Sequence, residues 1–158
     1  MLALTSNWRV TASRIQKALT ETILRRFVLP TKRVLIDTQV LLWWLKNDAQ
    51  LGKVAKAFVA DANNEIFTSA VTSWEISIKV ALGKLNAPSD IDTEVQQEGF
   101  SPLYITLKHA DAAGKLPAIH NAPFDRMLIA QAQAAGLQLM TSDGEIPKYS
   151  VQTIDAKK

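Results

Sequence analysis

Four acidic residues, Asp37, Glu75, Asp125 and Asp143, carry the chemistry that this sequence suggests. Free carboxyl groups titrate near about pH 4, so all four would be ionised at neutral pH and would repel one another if they met in the fold. A divalent cation relieves that repulsion, and a site built only from oxygen ligands favours a hard ion such as Mg²⁺ or Mn²⁺. Such an ion binds phosphate oxygens and lowers the pKa of a bound water. If the four acids converge, the sequence therefore predicts metal-dependent hydrolysis of a phosphodiester bond.

Each of these acids also has an ordinary structural explanation. Asp37 suits the N-cap of a helix, and Asp125 suits the first turn of a helix because it complements the helix dipole. Glu75 stands four residues before Lys79, which is the favoured orientation for an ion pair on a helix surface. Asp143 is followed by a glycine, and such a pair is typical of a turn. No single acid decides between the structural and the metal-binding interpretation. A common position of all four acids in the fold would decide it.

The hydrophobic pattern predicts the elements that would give the acids this common position. Short apolar runs predict strands at 33–37, 65–68, 103–107, 137–141 and 151–154. Helical periodicity predicts a helix that begins near residue 40 and further helices at 51–62, 71–81, 91–98 and 123–135. Strands separated by helices predict an α/β fold, with a parallel sheet and helices on both faces.

In such a sheet, binding sites form outside the carboxyl ends of the strands. Asp37 ends the first predicted strand, and Asp143 lies just past the predicted strand 137–141. Glu75 lies on the helix after the strand 65–68, and Asp125 lies in the first turn of a helix that would begin near the same edge. We therefore expect the four carboxylates to meet at one edge of the sheet.

Length and composition restrict the class of protein. The chain has 158 residues, of which 47% are hydrophobic and 21% are charged, so it can form one domain with a buried core and is not disordered. It has no cysteine and only two histidines, which excludes disulfides, thiol nucleophiles and metal sites built from three histidines. The longest uncharged stretch, Met127–Ser142, contains glutamines and a glycine and is a poor membrane span. The sequence has no phosphate-binding glycine loop, no GxSxG and no HExxH motif.

A few other side chains attract attention, and most of them have a structural interpretation. His109 and His120 are predicted to be surface or hydrogen-bonding residues, and Trp43 and Trp44 are predicted to lie in the core or at an interface. The residue after the third acid is Arg126. The pattern leaves open whether its guanidinium contacts phosphate or neutralises a carboxylate.

Charge is distributed unevenly, although the net charge is only +3. Residues 1–33 hold seven basic residues against Glu21 alone, whereas residues 34–158 hold 11 basic and 14 acidic residues. The apolar spacing of Ile15–Phe27 predicts a short amphipathic helix with a basic polar face, ended by Pro30. Three interpretations of this N-terminal extension stay open: a docking or nucleic-acid-binding arm, an organelle transit segment, or upstream sequence introduced by a start codon set too far back.

Four segments of the remaining chain together resemble the PIN-domain nucleases, and among them the VapC toxins of toxin–antitoxin pairs. The segments are VLIDTQVLLWWL (34–45), SAVTSWEISIKVALGKL (69–85), LPAIHNAPFDRMLIAQA (116–132) and TSD (141–143). Their order and spacing match the family over about residues 34–154, so we expect residues 34–158 to form one PIN domain. The resemblance implies a Rossmann-like, three-layer α/β/α fold with a central parallel sheet. It also implies cytoplasmic, Mg²⁺- or Mn²⁺-dependent cleavage of RNA and inhibition by a cognate antitoxin.

The resemblance also assigns roles to the four acids. By position, Asp37 and Asp125 would be the principal metal ligands, while Glu75 and Asp143 would complete the metal site or orient water. The family implies dimerisation as well. We expect a homodimer because the tryptophan-rich first helix and the helix 51–62 offer more apolar surface than one small core needs.

Two positions depart from the family pattern. Ala122 stands where the family usually has an acid, which removes a charge next to the PFDR motif and is expected to weaken metal binding. Gln39 stands where close relatives often have histidine, and we expect little consequence. The missing acid and the unusual extension keep two alternatives open: a catalytically silent module that binds RNA or protein, and a PIN nuclease of RNA maturation that is not a toxin.

Overall fold

The computed structural model describes residues 16–20 and 32–158. The chain divides into two compact units, Met1–Lys32 and Arg33–Lys158. In the first unit the described residues 16–20 are helical, and the rest of the helix predicted for Ile15–Phe27 lies outside the described residues. The three interpretations of the N-terminal extension also concern residues that lie largely outside the described ones. All four predicted acids belong to the second unit.

A five-stranded, all-parallel sheet forms the centre of the second unit. Its strands are β1 (Arg33–Ile36), β2 (Glu65–Ser69), β3 (Ser101–Leu103), β4 (Gln138–Thr141) and β5 (Thr153–Asp155), in the order β3-β2-β1-β4-β5. From β1 the chain winds outward on one side and then returns to the other side for β4 and β5. The winding direction therefore reverses between β1 and β4, and ligands bind at such a point in open α/β sheets. Asp37 is the first residue after β1.

Helices connect these strands. They are α1 (Thr38–Leu45), α2 (Lys53–Ala60), α3 (Ala70–Ala81), α4 (Ile91–Gln97), α5 (Leu107–Lys115) and α6 (Pro123–Ala135), with a short 3₁₀-helix at Ile146–Lys148. Pro123 opens α6 and Gly136 ends it, as predicted, because Gly136 adopts the left-handed conformation with φ of 63°. A side chain would be strained at that position.

The core lies on both faces of the sheet. Val34 and Ile36 pack with residues of α1, α2 and α4 on one face, while Leu35 packs with Phe67 and residues of α6 on the other. Successive side chains of a strand point to opposite faces, so Val34 and Ile36 lie on one face of the sheet and Leu35 lies on the other. The side chains of Val34, Leu35 and Ile36 are all fully buried. This two-sided burial explains the continuous apolar run of β1 and confirms the predicted three-layer α/β/α fold.

The segment after β3 differs from the prediction. The alternation of Leu103, Ile105 and Leu107 predicted a strand, but β3 ends at Leu103 and α5 begins at Leu107. A capping box starts this helix: the Thr106 hydroxyl accepts the His109 N–H, and His109 Nδ1 accepts the Thr106 N–H, both at 3.2 Å. The cap decides the local structure because the alternating residues gain little burial, and Leu107 is 91% exposed. Within residues 33–158, every other predicted bound lies within two residues of the observed one.

The structure shows where the large apolar side chains lie that the sequence associates with a dimer. Trp43 of α1 is buried, and Trp44 is half-buried against Phe100 with ring centroids 6.0 Å apart. The large exposed apolar side chains of the second unit lie mainly on α3 and after β3, and include Trp74 and Tyr104. Val54 of α2 is exposed as well, whereas α1 has no large exposed apolar side chain. Among the helices that the structure describes, none is both long and apolar enough to cross a membrane.

Candidate active site

All four predicted acids line one cavity of about 550 Å³ at the carboxyl end of the sheet. β1 and β4 deliver Asp37 and Asp143 to it, while α3 and α6 deliver Glu75 and Asp125. Two cations, Lys79 and Lys84, line the same cavity. The predicted convergence of these residues is thus present in the structure, with four carboxylates facing two ammonium groups.

Asp37 is the most buried of the four acids, with 5% of its surface exposed. Its backbone N–H continues the β1–β4 pairing by donating to the Met140 carbonyl at 3.1 Å, and its Oδ1 caps α1 by accepting the Val40 N–H at 2.7 Å. Burial raises the pKa of Asp37 to about 6, and the nearby carboxylates of Asp125 and Glu75 add to the rise. Hydrogen bonds from Val40 and from the Thr141 hydroxyl lower the pKa and only partly offset this effect.

Glu75 faces the cavity from the buried side of α3. The Thr38 hydroxyl donates to its Oε2 at 2.5 Å, and the Lys79 ammonium contacts its Oε1 at 2.5 Å. Thr38 also lies 3.4 Å from the Thr72 hydroxyl. The predicted ion pair with Lys79 therefore exists, and it lies at the candidate site rather than on a remote helix surface.

Asp125 and Asp143 have opposite pKa shifts. Burial raises the pKa of Asp125, and the carboxylates of Glu75 and Asp143 reinforce the rise while His120 opposes it. Burial also acts to raise the pKa of Asp143, but hydrogen bonds from His120 and from the Glu145 N–H outweigh it and hold that pKa below its ordinary value. The Glu145 bond, 2.7 Å to Oδ1, is the turn predicted after Asp143. The remaining oxygen of Asp143 faces His120.

His120 belongs to the site, although the sequence pattern predicted no more than a surface or hydrogen-bonding role. Its Nε2 lies 3.0 Å from Asp143 Oδ2 and 3.4 Å from Asp125 Oδ2. Its Nδ1 accepts the Ala122 N–H at 3.0 Å, so the ring proton of the neutral imidazole sits on Nε2. His120 therefore acts as a hydrogen-bond donor between two of the acids. The residue stands in an irregular stretch without periodicity, and its nearness in sequence to the PFDR motif was the available signal.

The loop that carries His120 is held by Arg126 and Tyr149. The Arg126 guanidinium donates to the carbonyls of Leu116 and Pro117, both at 2.8 Å, and to that of His120 at 3.2 Å. The Tyr149 hydroxyl accepts the His120 N–H at 2.7 Å and lies 3.0 Å from the Pro117 carbonyl. This answers the question that the sequence left open, because Arg126 binds backbone carbonyls and positions the loop.

These donors fit a hard divalent cation. The cavity gathers four carboxylates, and the raised pKa of Asp37 means that its buried surroundings disfavour its negative charge, which a bound cation would compensate. Ligand atoms of His120, Asp125 and Asp143 also lie within 4.8 Å of one another. Because His120 Nε2 carries the proton, however, this histidine supports the acids and the oxygens are the available ligands. An all-oxygen set favours Mg²⁺ or Mn²⁺ over Zn²⁺.

Comparison with known families identifies the domain. The model of the family described as PIN domain matches residues 34–152. The chain belongs to the PIN domain family. PIN domains are generally nucleases, and the matched region contains all four acids and His120.

Solved structures with the same fold include toxin–antitoxin complexes. A DNA-bound VapBC from Salmonella typhimurium is 18% identical with a TM-score of 0.58, covering 79% of this chain and 98% of that one. VapBC-1 from nontypeable Haemophilus influenzae is 21% identical with a TM-score of 0.55, covering 80% and 99%. FitAcB from Neisseria gonorrhoeae is 18% identical with a TM-score of 0.56, covering 78% and 97%. None of the curated proteins compared with the chain matches it. At these identities the structural likeness establishes the fold.

Proposed function

We propose that this PIN domain is a Mg²⁺- or Mn²⁺-dependent endoribonuclease and the toxin of a toxin–antitoxin pair. The observation that carries the proposal is the meeting of Asp37, Glu75, Asp125 and Asp143 in one cavity at the switch point of the sheet. A divalent ion held there supplies Lewis-acid stabilisation of phosphate charge and a more acidic water. Without that ion the cavity would repel the phosphate backbone.

Each residue has a task in this proposal. Asp37 and Asp125, whose pKa values burial raises, are the principal metal ligands, and Glu75 and Asp143 complete the site or orient water. His120 donates its Nε2–H between Asp125 and Asp143 and fixes their orientation. Lys79 and Lys84 line the same cavity, and their positive charges favour the approach of an RNA phosphate.

The partners follow from the neighbours and from the site. Similar folds occur in VapBC and FitAB complexes, so we infer a cognate antitoxin that binds this domain in the cytoplasm and blocks cleavage. A basic side chain of such an antitoxin could enter the acidic cavity and compete with the metal. A homodimer is part of the proposal.

The decisive experiment measures cleavage of single-stranded and structured RNA by the full chain with Mg²⁺, with Mn²⁺ and with chelator. Wild type should cleave only with metal, and Asp125→Asn should lose at least a hundredfold in rate because it removes a principal ligand charge. The matched control is Asp111→Asn, which changes an exposed acid on α5 that pairs with Lys115. Wild-type turnover in a folded Asp125→Asn variant would refute the mechanism.

A second candidate function is a catalytically silent module that binds RNA or protein. Two observations favour it: Ala122 brings no carboxylate to the start of α6, and Lys79 already pairs with Glu75. This alternative predicts RNA or partner binding that chelator leaves unchanged, with no cleavage under any metal. Metal-dependent turnover that Asp125→Asn abolishes would exclude it.

A further inference from the structure

A second cavity, of about 380 Å³, lies along another side of α3. Residues of α3 that line it, Ser73 and Ser77, alternate with the residues that face the acids, because neighbouring helix positions point about 100° apart. The ends of β2 and β3 form its floor and rim through Thr68 and Tyr104. The cavity therefore opens at the same carboxyl edge of the sheet as the acidic site.

Thr68 gives the first indication that this cavity binds something. The residue is only 4% exposed, it lines the cavity, and its Oγ1 has no hydrogen-bond partner among the described residues. A buried hydroxyl without a partner is costly and uncommon. Less than 1 Å² of that oxygen is exposed, so a ligand with a polar edge would satisfy it once the Thr68 side chain rotates toward the cavity.

Two aromatic side chains at the cavity give the second indication. Trp74 is 58% exposed and Tyr104 is 72% exposed, although both are large and have apolar rings. Trp74 is held from one side by the edge of Phe124, with ring centroids 5.3 Å apart and planes at 86°. Exposed rings of this kind are surfaces on which nucleobases stack.

The rim is held in place by a buried polar network. Gln131 of α6 is fully buried; its Oε1 accepts the Ser69 hydroxyl at 2.5 Å, and its Nε2 donates to the Tyr104 carbonyl at 3.3 Å. This side chain ties the end of β2 to the end of β3. Tyr104 is therefore exposed on an anchored backbone.

The residues that line the cavity favour a nucleobase over a phosphate group as its ligand. The only charged side chain among the described lining residues is Asp92, so the cavity offers no cation to a phosphate. A flat, uncharged ring with hydrogen-bonding edges matches the aromatic rings and the row of hydroxyl groups. Trp74 and Phe124 directly precede Glu75 and Asp125 in sequence, so the aromatic pair connects this cavity with the acids.

We propose that this cavity is a subsite that receives one base of a single-stranded RNA whose backbone lies at the acidic site. The base stacks on Tyr104 or Trp74, and its edge hydrogen-bonds the Thr68 hydroxyl. The identity of the polymer as RNA rests on the proposed function, whereas the base-binding character of the cavity rests on Thr68 and the aromatic rings. Such a subsite would select which bond of the RNA is presented to the acids.

The test uses the full chain carrying Asp125→Asn and a short labelled single-stranded RNA. Affinity is measured for the intact RNA and for versions with one abasic position, scanned along the strand. We expect one abasic position to weaken binding about tenfold. Tyr104→Leu should weaken binding of intact RNA by the same factor and abolish the effect of that abasic position, while the matched Tyr104→Phe keeps both.

A second pair of variants tests the hydroxyl without risk to the fold. Thr68→Val removes the unpartnered Oγ1 at nearly constant shape and should weaken binding about threefold, whereas Thr68→Ser keeps the hydroxyl and the affinity. An abasic effect that survives Tyr104→Leu, or the absence of RNA binding at micromolar protein, overturns the subsite. So does sedimentation in which Tyr104→Leu turns a dimer into a monomer, because the face would then join two copies of the chain.

The two proposals fail in different ways. If wild type cleaves RNA but no abasic effect depends on Tyr104, the nuclease stands and the subsite is wrong. If wild type cleaves nothing but the abasic effect depends on Tyr104, the subsite stands and the nuclease is wrong.

Discussion

At the scale of single residues, each of the four acids performs a structural task at the place where it lines the cavity. Asp37 caps α1, Glu75 pairs with Lys79, Asp125 stands in the first turn of α6, and Asp143 closes a turn. The structural and functional interpretations of the sequence are therefore compatible. The cap at Asp37 and the turn at Asp143 each fix one carboxylate oxygen by a backbone N–H, which orients the side chain in advance of metal binding.

Asp37→Asn is expected to stabilise the metal-free protein at neutral pH. A pKa raised to about 6 from 3.8 means that the folded state holds the proton more tightly than the unfolded chain. Stability is therefore lost as pH rises from about 4 to about 6, and the ionised carboxylate costs about 2–3 kcal/mol above that window. Asparagine keeps the cap oxygen without the charge. Urea unfolding with chelator should show that Asp37→Asn gains stability at pH 7.5 and that the gain vanishes at pH 4. The exposed control Asp111→Asn should show no such gain, and equal stability of Asp37→Asn and wild type at pH 7.5 would contradict the raised pKa.

His120→Ala is expected to raise the pKa of Asp143. The hydrogen bond from Nε2 favours the ionised carboxylate, and burial acts unopposed by it once the ring is gone. Asp125 should shift in the same direction, since His120 lowers its pKa as well. Carboxyl ¹³C titration by NMR in chelator measures both shifts, with His109→Ala as the control. Unchanged titration of Asp143 would mean that the histidine does not hold it.

At the scale of elements, Arg126 and Tyr149 hold the irregular segment between α5 and α6, and Arg126 makes most of the hydrogen bonds. Arg126 donates to several backbone carbonyls, and lysine cannot reproduce that planar set of donors. Arg126→Lys should therefore lower the free energy of unfolding by about 1–3 kcal/mol and speed amide exchange at residues 114–122. Arg33→Lys, at a half-exposed pair with Glu65, is the matched control and should change stability by less than about 1 kcal/mol. If amide exchange in this loop of Arg126→Lys is as slow as in wild type, Arg126 does not position the loop.

The N-terminus of α6 offers a separate prediction, because Ala122 is its N-cap and provides no side-chain hydrogen bond. Its backbone, φ −72° and ψ 120°, suits a capping residue. Ala122→Asn should stabilise the protein by about 1 kcal/mol. In chelator Ala122→Asp should gain less than the asparagine variant, because it adds charge to the acidic cluster, and Mn²⁺ should reverse that order. Thermal melts of the two variants with and without Mn²⁺ measure this order of stability. If Mn²⁺ does not change the order, position 122 does not interact with the metal site.

The elements also show which parts of the structure were predictable. The apolar pattern of the sequence predicts the buried strands and the helices α3 and α6. Because sites in parallel sheets form outside the carboxyl ends of the strands, the strands then place Asp37 and Asp143 together. α5 was missed because Ala113 is its only buried residue, and the start of α5 depends on the Thr106–His109 capping box. His120 was missed for a related reason, since hydrogen bonds to Ala122 and Tyr149 fix it and leave no periodic trace in the sequence.

At the scale of the whole molecule, two cavities open at one edge of one sheet and share α3 between them. The two cavities differ in charge. The acidic cavity is lined by carboxylates and lysines, whereas the other is lined mainly by hydroxyl groups and aromatic rings. The parallel topology makes this possible, since every strand ends at the same edge and can contribute side chains there.

The last prediction links metal, protons and the stability of the entire fold. Asp37 with a pKa of about 6 is half protonated at pH 6 in the metal-free protein, so Mn²⁺ binding should release about half a proton at pH 6 and almost none at pH 8. Affinity should fall as pH drops below about 6. Since metal binds only the folded state, saturating Mn²⁺ should raise Tm, more at pH 8 than at pH 5.5. Calorimetry in buffers of different ionisation enthalpy measures the protons, and Asp111→Asn should behave as wild type. Equal proton release at both pH values would show that buried Asp37 does not take part in metal binding.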